Sequence, residues 1–206
     1  MLVRPVTVQD VIDVNAYFYI DEEKKRGVLI DPGAQADLLL DTVRQNGWTI
    51  ERILITHGHF DHIGAVEAVS RALGVPYAIH ENGREYLTDP MMNLSGVFGA
   101  GVVLNEAVYF ADGDVQGGRL TVIHTPGHTR DSVVFYDAEN KTAFVGDTVF
   151  KASVGRTDFP GGSAEELRQS VVKKIFALPD DTVLYSGHTE PTTVGAEKSG
   201  GAVWYL

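Results

Sequence analysis

The segment Thr56-His57-Gly58-His59-Phe60-Asp61-His62-Ile63-Gly64 places three imidazoles and a carboxylate within six residues. Imidazole suits zinc, iron, nickel and copper, and a carboxylate can complete such a set. His57 and His59 stand two apart in a loop, so they can close on one ion, with Gly58 easing the bend. Asp61 and His62, adjacent at the start of a helix, point elsewhere and suit a second ion nearby. The competing reading, a solvated histidine-rich surface loop, fits poorly with a segment that follows a buried strand so abruptly.

Three further candidates repeat this placement. His128 lies in Thr125-Pro126-Gly127-His128-Thr129, Asp147 in Val145-Gly146-Asp147-Thr148, and His188 in Ser186-Gly187-His188. Each stands past the end of an apolar strand with a glycine immediately before it. Taken alone, each is more often a turn residue or a cap. Together with the first segment they read as one constellation on loops carried by a rigid scaffold, where catalytic groups concentrate. The remaining two of the seven histidines, His80 and His124, take structural roles. Asp31, in Asp31-Pro32-Gly33, reads as a turn residue or one that orients ligands by hydrogen bonds.

Such a set makes hydrolysis the natural chemistry. Two ions about 3.5–4 Å apart can share a water and lower its pKa from 15.7 toward ~7, while polarising a carbonyl and steadying the leaving atom. A thiolate, with a pKa of about 8.5, leaves without strong acid help. An amide nitrogen needs protonation, and the acids at hand are Asp61 and water, so a thioester is the easier substrate.

The elements that position these groups are short. Val14 to Ile20 and Gly27 to Ile30 read as strands around a charged turn, and Ala36 to Gln45 as a helix stopped by Gly47. Arg52 to Ile55 is an apolar strand feeding the histidine segment. Asp61 to Leu73 reads as one amphipathic helix, with Ile63, Val66, Val69 and Leu73 at helical spacing. Pro76 to His80 is a strand. Glu81 to Glu106 reads as irregular, with a helical turn near Arg84 to Leu87. Strands follow at Ala107 to Phe110, Arg119 to His124, Ser132 to Tyr136, Thr142 to Val145 and Thr182 to Tyr185. A helix capped by Ser163 with Glu166, ended by Pro179, buries Leu167, Val171, Ile175 and Phe176. Strands in excess of helices predict helices packed outside two β-sheets.

Composition bounds the rest. The 206 residues carry a net charge of -11 and no cysteine. An acidic chain repels phosphate backbones, and its one dense basic run, Lys24-Lys25-Arg26, directly follows Asp21-Glu22-Glu23, so no nucleic-acid partner is expected. No apolar run approaches the ~20 residues that span a bilayer, so no membrane partner is expected. The first ten residues lack the pattern of a signal peptide, and the absence of cysteine fits a reducing cytoplasm, where the protein is expected to act. Nothing in the chain signals an oligomeric state.

These motifs resemble the metallo-β-lactamase-fold superfamily, whose signature is T-H-x-H-x-D-H-x-G followed by a distant His, Asp and His; all seven positions match. The resemblance implies an αββα four-layer sandwich, two mixed β-sheets flanked by helices, as a single domain over 1–206. It implies one ion held by His57, His59 and His128, and a second by Asp61, His62 and His188. Asp147 would bridge both and, with Asp61, form the catalytic pair. The ions would be divalent: zinc, with iron or manganese accepted by the same ligand set. Asn15-Ala16-Tyr17 leading to Asp31-Pro32-Gly33 also looks like the opening strands of that family.

Within the superfamily the chain is most similar to small glyoxalase II-like proteins, through Asn93-Leu94-Ser95, the run Gly155-Arg156-Thr157-Asp158-Phe159-Pro160-Gly161-Gly162-Ser163, and Thr192-Thr193-Val194-Gly195. Glyoxalase II hydrolyses S-D-lactoylglutathione to lactate and glutathione, which implies a dinuclear thioester hydrolase with a small-molecule substrate. The same family contains mononuclear iron persulfide dioxygenases sharing the Gly-Arg-Thr-Asp-Phe run, the alternative reading. Arg156 falls where the family places a basic residue facing glutathione and is the substrate-binding candidate; a structural pairing with Asp158 competes with that role. Larger glyoxalase II enzymes carry a C-terminal helical extension that this sequence is expected to lack. Two of their tyrosine positions are Asp158 and Glu190 here, which points away from an anionic thiol carrier. The clamp domain and basic groove of nucleic-acid phosphodiesterases of this fold are not expected here. A non-catalytic metal-binding module is disfavoured because no position of the set is missing.

Overall fold

The computed structural model describes residues 1–99 and 101–202. The chain forms two compact units, Met1–Phe110 and Ala111–Leu206.

The first unit is a six-stranded mixed sheet in sequence order: β1 (Leu2–Val8), β2 (Val14–Asp21), β3 (Arg26–Ile30), β4 (Thr49–Leu54), β5 (Tyr77–His80) and β6 (Val108–Phe110). The first three strands pair antiparallel; β3 to β6 pair parallel. Parallel neighbours need crossovers. These are α1 (Ala36–Asn46), then α2 (Phe60–Ile63) with α3 (Val66–Leu73), then α4 (Arg84–Thr88) with α5 (Ser95–Phe98). The predicted hairpin around the charged turn is present, with Lys25 at φ 55. Leu39 and Val43 of α1, and Ile63, Val66 and Val69 from α2 and α3, bury against Phe18, Leu29, Ile53 and Ile55. The alternate residues Tyr17, Tyr19, Val28, Ile30 and Leu54 are buried too. That is why these strands read as continuous apolar runs rather than as alternating ones.

The single helix expected over Asp61 to Leu73 is broken after Ile63. The Ala65 N–H donates to the Pro32 carbonyl (3.0 Å), drawing the chain onto the Asp31–Gly33 turn. Helical periodicity persists across the break, so the sequence pattern conceals it. β1 and α5 are absent from the sequence reading. β1 is an edge strand carrying Pro5, a residue that weakens a strand pattern and is tolerated at an edge.

The second unit holds a mixed sheet ordered β14-β13-β10-β9-β8-β7, from β7 (Val115–Gln116), β8 (Leu120–His124), β9 (Val133–Asp137), β10 (Thr142–Gly146), β13 (Val183–Ser186) and β14 (Thr192–Thr193). A two-stranded hairpin, β11 (Val149–Phe150) and β12 (Ser153–Val154), follows β10. Among the described residues of this unit only β10 and β13 pair parallel, and their crossover contains α6 (Ala164–Ser170), which continues as a π turn, Val171–Ile175. Leu167, Val171 and Ile175 bury against Val134, Ala143, Val145 and Leu184. The Ser163 cap is present, accepting from the Glu166 N–H at 3.3 Å. The Ser163 N–H donates to the Gly127 carbonyl (2.8 Å), which fastens the helix start to the His128 loop. A last helix, α7 (Val194–Gly200), escaped the sequence reading; three of its seven residues are Gly or Ser. No helix of the described residues is long and apolar enough to cross a membrane.

Candidate functional site

In the first unit the donors sit between β4 and α3. Asp31, immediately after β3, is the hub. Its own N–H donates to the Leu54 carbonyl (3.1 Å) at φ 50, a left-handed conformation that aspartate tolerates better than most residues. Its buried carboxylate accepts from the Thr56 N–H (2.8 Å), the Thr56 hydroxyl (2.6 Å) and His62 Nδ1 (2.9 Å). Three bonds to one buried charge offset much of its desolvation. They also set protons. The Thr56 hydroxyl spends its hydrogen on Asp31, so at 3.3 Å from His57 Nδ1 it can only accept. Both His57 and His62 therefore carry hydrogen on Nδ1, which leaves Nε2 as the nitrogen that could bind an ion. The His57 ring lies 4.1 Å from that of His62 and 4.8 Å from that of His59. Asp61 Oδ2 is 3.8 Å from His62 Nε2.

Two neighbours brace this loop. Asn93, fully buried, gives its amide hydrogens to the Tyr86 and Val102 carbonyls, while its backbone carbonyl accepts from the Phe60 N–H (2.9 Å). Gly33 lies so close that a Cβ there would overlap the Asp61 carbonyl oxygen.

In the second unit the donors come from three separated loops. His128 Nδ1 donates to the Arg156 backbone carbonyl (2.7 Å). Asp147 Oδ2 lies 3.6 Å from His128 Nε2 and 3.2 Å from His188 Nε2. The Phe150 ring meets that of His188 edge-on at 5.9 Å. Gly155 repeats the part of Gly33: a Cβ would overlap the Asp147 carbonyl oxygen.

The donor chemistry fits a divalent cation. His57, His62 and His128 each have Nδ1 held by a protein acceptor, the arrangement that orients a metal-ligating imidazole and fixes its tautomer. His62 and His128 turn Nε2 toward an aspartate oxygen, at 3.8 and 3.6 Å, so an imidazole nitrogen and a carboxylate oxygen, both ligands suited to a divalent cation, stand side by side.

The Arg156 side chain is exposed, bidentate to Asp158 (2.7 and 2.6 Å) and stacked on Phe159 at 4.0 Å. That pairing draws the Asp158 pKa down to about 2 and raises that of Arg156. His80 Nδ1 accepts from the Asn82 N–H, capping a 3-10 turn, and His124 Nε2 donates to the Arg130 carbonyl (2.8 Å). Sequence reasoning missed Thr56, which only its contacts reveal, and the Arg156 carbonyl, since a backbone atom leaves no trace in residue type.

A model of the Metallo-beta-lactamase superfamily matches residues 10–188. Hydroxyacylglutathione hydrolase GloC of Haemophilus influenzae is 32% identical over 183 residues, covering 86% of each chain. The crystal structure of BLEG-1 B3 metallo-beta-lactamase superposes with a TM-score of 0.91 at 34% identity, covering 97% of this chain and 98% of that one. The structure of TTHA1623 in a di-iron-bound form gives a TM-score of 0.85 at 33% identity, covering 96% and 98%.

Proposed function

The chain belongs to the metallo-beta-lactamase superfamily, whose members are generally hydrolases, and on that basis we propose that it is a dinuclear metal-dependent thioester hydrolase. The observation that carries this reading is the shared construction of the two donor sets: imidazoles steered through Nδ1, each set with an aspartate in front. In this reading His57, His59 and His128 would hold one ion, Asp61, His62 and His188 would hold the other, and Asp147 would serve both. When bound, such ions supply Lewis-acid polarisation of a carbonyl and ionise water near neutral pH.

The chain's own groups supply the rest. Asp31 and the Arg156 carbonyl keep the His62 and His128 rings in register. Asp61 receives a proton from the attacking water and returns it to the departing sulfur. Arg156, with its charge partly answered by Asp158, contacts the thiol carrier. That pair favours a carrier of low charge, and the resemblance to GloC supports a hydroxyacyl thioester. The substrate is a small molecule met in the cytoplasm; neither nucleic acid nor membrane is a partner. Zinc is the proposed ion, and iron, which TTHA1623 binds, is the next candidate.

The likeness to BLEG-1 favours a second reading, hydrolysis of a β-lactam amide. The test incubates zinc-loaded protein with S-D-lactoylglutathione, a lactoyl thioester of neutral N-acetylcysteamine, and a chromogenic cephalosporin. Thiol release, faster from the neutral carrier, is expected. Cephalosporin opening without thiol release would replace the thioester reading. Oxygen uptake with a persulfide, at one iron per chain, would move the activity to dioxygenation.

A further inference from the structure

Among the buried carboxylates of the described residues, Glu197 lies outside every motif yet is only 2% exposed. It sits in α7 and makes three hydrogen bonds. Oε2 accepts from the Ala152 N–H (2.9 Å) and the Ala202 N–H (2.7 Å), and Oε1 accepts from the Thr192 hydroxyl (2.6 Å). Ala152 forms the apex of the β11–β12 hairpin, held left-handed at φ 57. A Cβ on Gly201 would overlap Glu197 Oε2, so the helix end closes tightly over the carboxylate.

That hairpin touches all three donors of the second unit. Its first arm leaves Asp147. Its second arm runs into Gly155, packed on the Asp147 carbonyl, and Arg156, whose carbonyl receives the His128 Nδ1 hydrogen at 2.7 Å. At its apex the Lys151 N–H donates to Thr189 Oγ1 (3.0 Å), beside His188. Thr189 is tied in turn to Ser186, through its N–H (3.2 Å) and its hydroxyl (2.7 Å). The hairpin is thus a bracket for the donor set, and Glu197 fixes its tip.

We propose that Glu197 is a positioning residue that sets the spacing of His128, Asp147 and His188 by anchoring this hairpin. The inference rests on the metal-binding reading above. A carboxylate suits the place because three donors converge on two acceptor oxygens. Glutamine keeps the shape but offers one oxygen and turns an NH2 group toward a donor.

The test measures zinc and cobalt(II) affinity by competition with a chelator on the full chain, together with the cobalt(II) d–d spectrum. It compares the unaltered protein with E197Q, T192V and a core control in the same helix, V194A. E197Q should weaken the more loosely held ion about tenfold, the lower end for groups that orient ligands from outside. It should also alter the cobalt bands and lower kcat with KM unchanged. V194A should lose at least as much thermal stability without those shifts. Unchanged affinity and spectrum in E197Q, or an equal loss in V194A, would overturn the assignment while leaving the hydrolase reading intact. If E197Q does not fold, T192V carries the comparison with a smaller shift, and unaltered binding there overturns it. An unaltered protein that binds no divalent ion sinks both readings.

Discussion

The two donor sets solve one problem by opposite means. In the first unit four donors come from six consecutive residues, and the brace is a side chain, Asp31, reaching across from the end of a neighbouring strand to Thr56 and His62. In the second unit three donors come from loops far apart in the chain, and the brace is backbone: the Arg156 carbonyl on His128 and Gly155 against Asp147. A local cluster needs one charged hub to fix its protons. A dispersed one needs the loops themselves held in place. The common element is a glycine, Gly33 or Gly155, against the carbonyl of the central aspartate.

Substitutions can break this contrast. The largest effect should come from Asp147→Asn, which removes the second unit's one carboxylate donor. Turnover should fall by more than about 100-fold, the upper end for changes one step further from the metal, with an unaltered circular dichroism spectrum. Near-normal turnover in metal-loaded protein would remove Asp147 from the centre. Asp31→Asn should come next. It keeps the size but faces the His62 Nδ1–H with an amide that can also donate, so metal affinity should fall about 10–100-fold. Titration against a chelator measures it; a change below twofold would mean that Asp31 does not steer His62. Gly33→Ala and Gly155→Ala should each destabilise by about 1–3 kcal/mol through overpacking, read as lowered urea midpoints. If only one of the pair matters, the proposed symmetry is wrong.

The smallest effects belong to the Arg156–Asp158 pair. Arg156→Ala should raise KM several-fold with little change in kcat, the mark of uniform binding. The Asp158 pKa is depressed by Arg156 to about 2 from its usual 3.8. Any contribution of the pair is therefore complete above pH 3.8 and is lost as the pH falls through about 2. Because Asp158 and Arg156 are both exposed, acid unfolding should be nearly the same for Asp158→Asn and the unaltered chain.

The same contrast decides what was legible in the sequence. His57 to His62 announces itself because residue type and spacing carry the information. His128, Asp147 and His188 are individually ambiguous and gain meaning only from the family pattern. The strands followed from apolar runs, the mixed sheets only from the family resemblance, and the hairpin at Lys24–Lys25 from its charges. The break after Ile63 stayed hidden because helical periodicity runs through it, although Gly64 stands at the break and the Ala65 N–H turns to the Pro32 carbonyl. α7 stayed hidden because Gly195, Ser199 and Gly200 lower its intrinsic propensity, while its place is held by burial of Val194 and Glu197. Glu197 itself could not be singled out, since its three donors are a hydroxyl and two backbone groups.

In the proposed function the two donor sets would serve one pair of ions. The direct measurement is metal content and stepwise affinity of the unaltered chain and of His128→Ala, by elemental analysis and chelator competition. The account predicts two ions per chain, and in His128→Ala a weakened grip on the ion shared with His57 and His59. Retention of that ion at undiminished affinity would show that the sets act independently and would contradict the account.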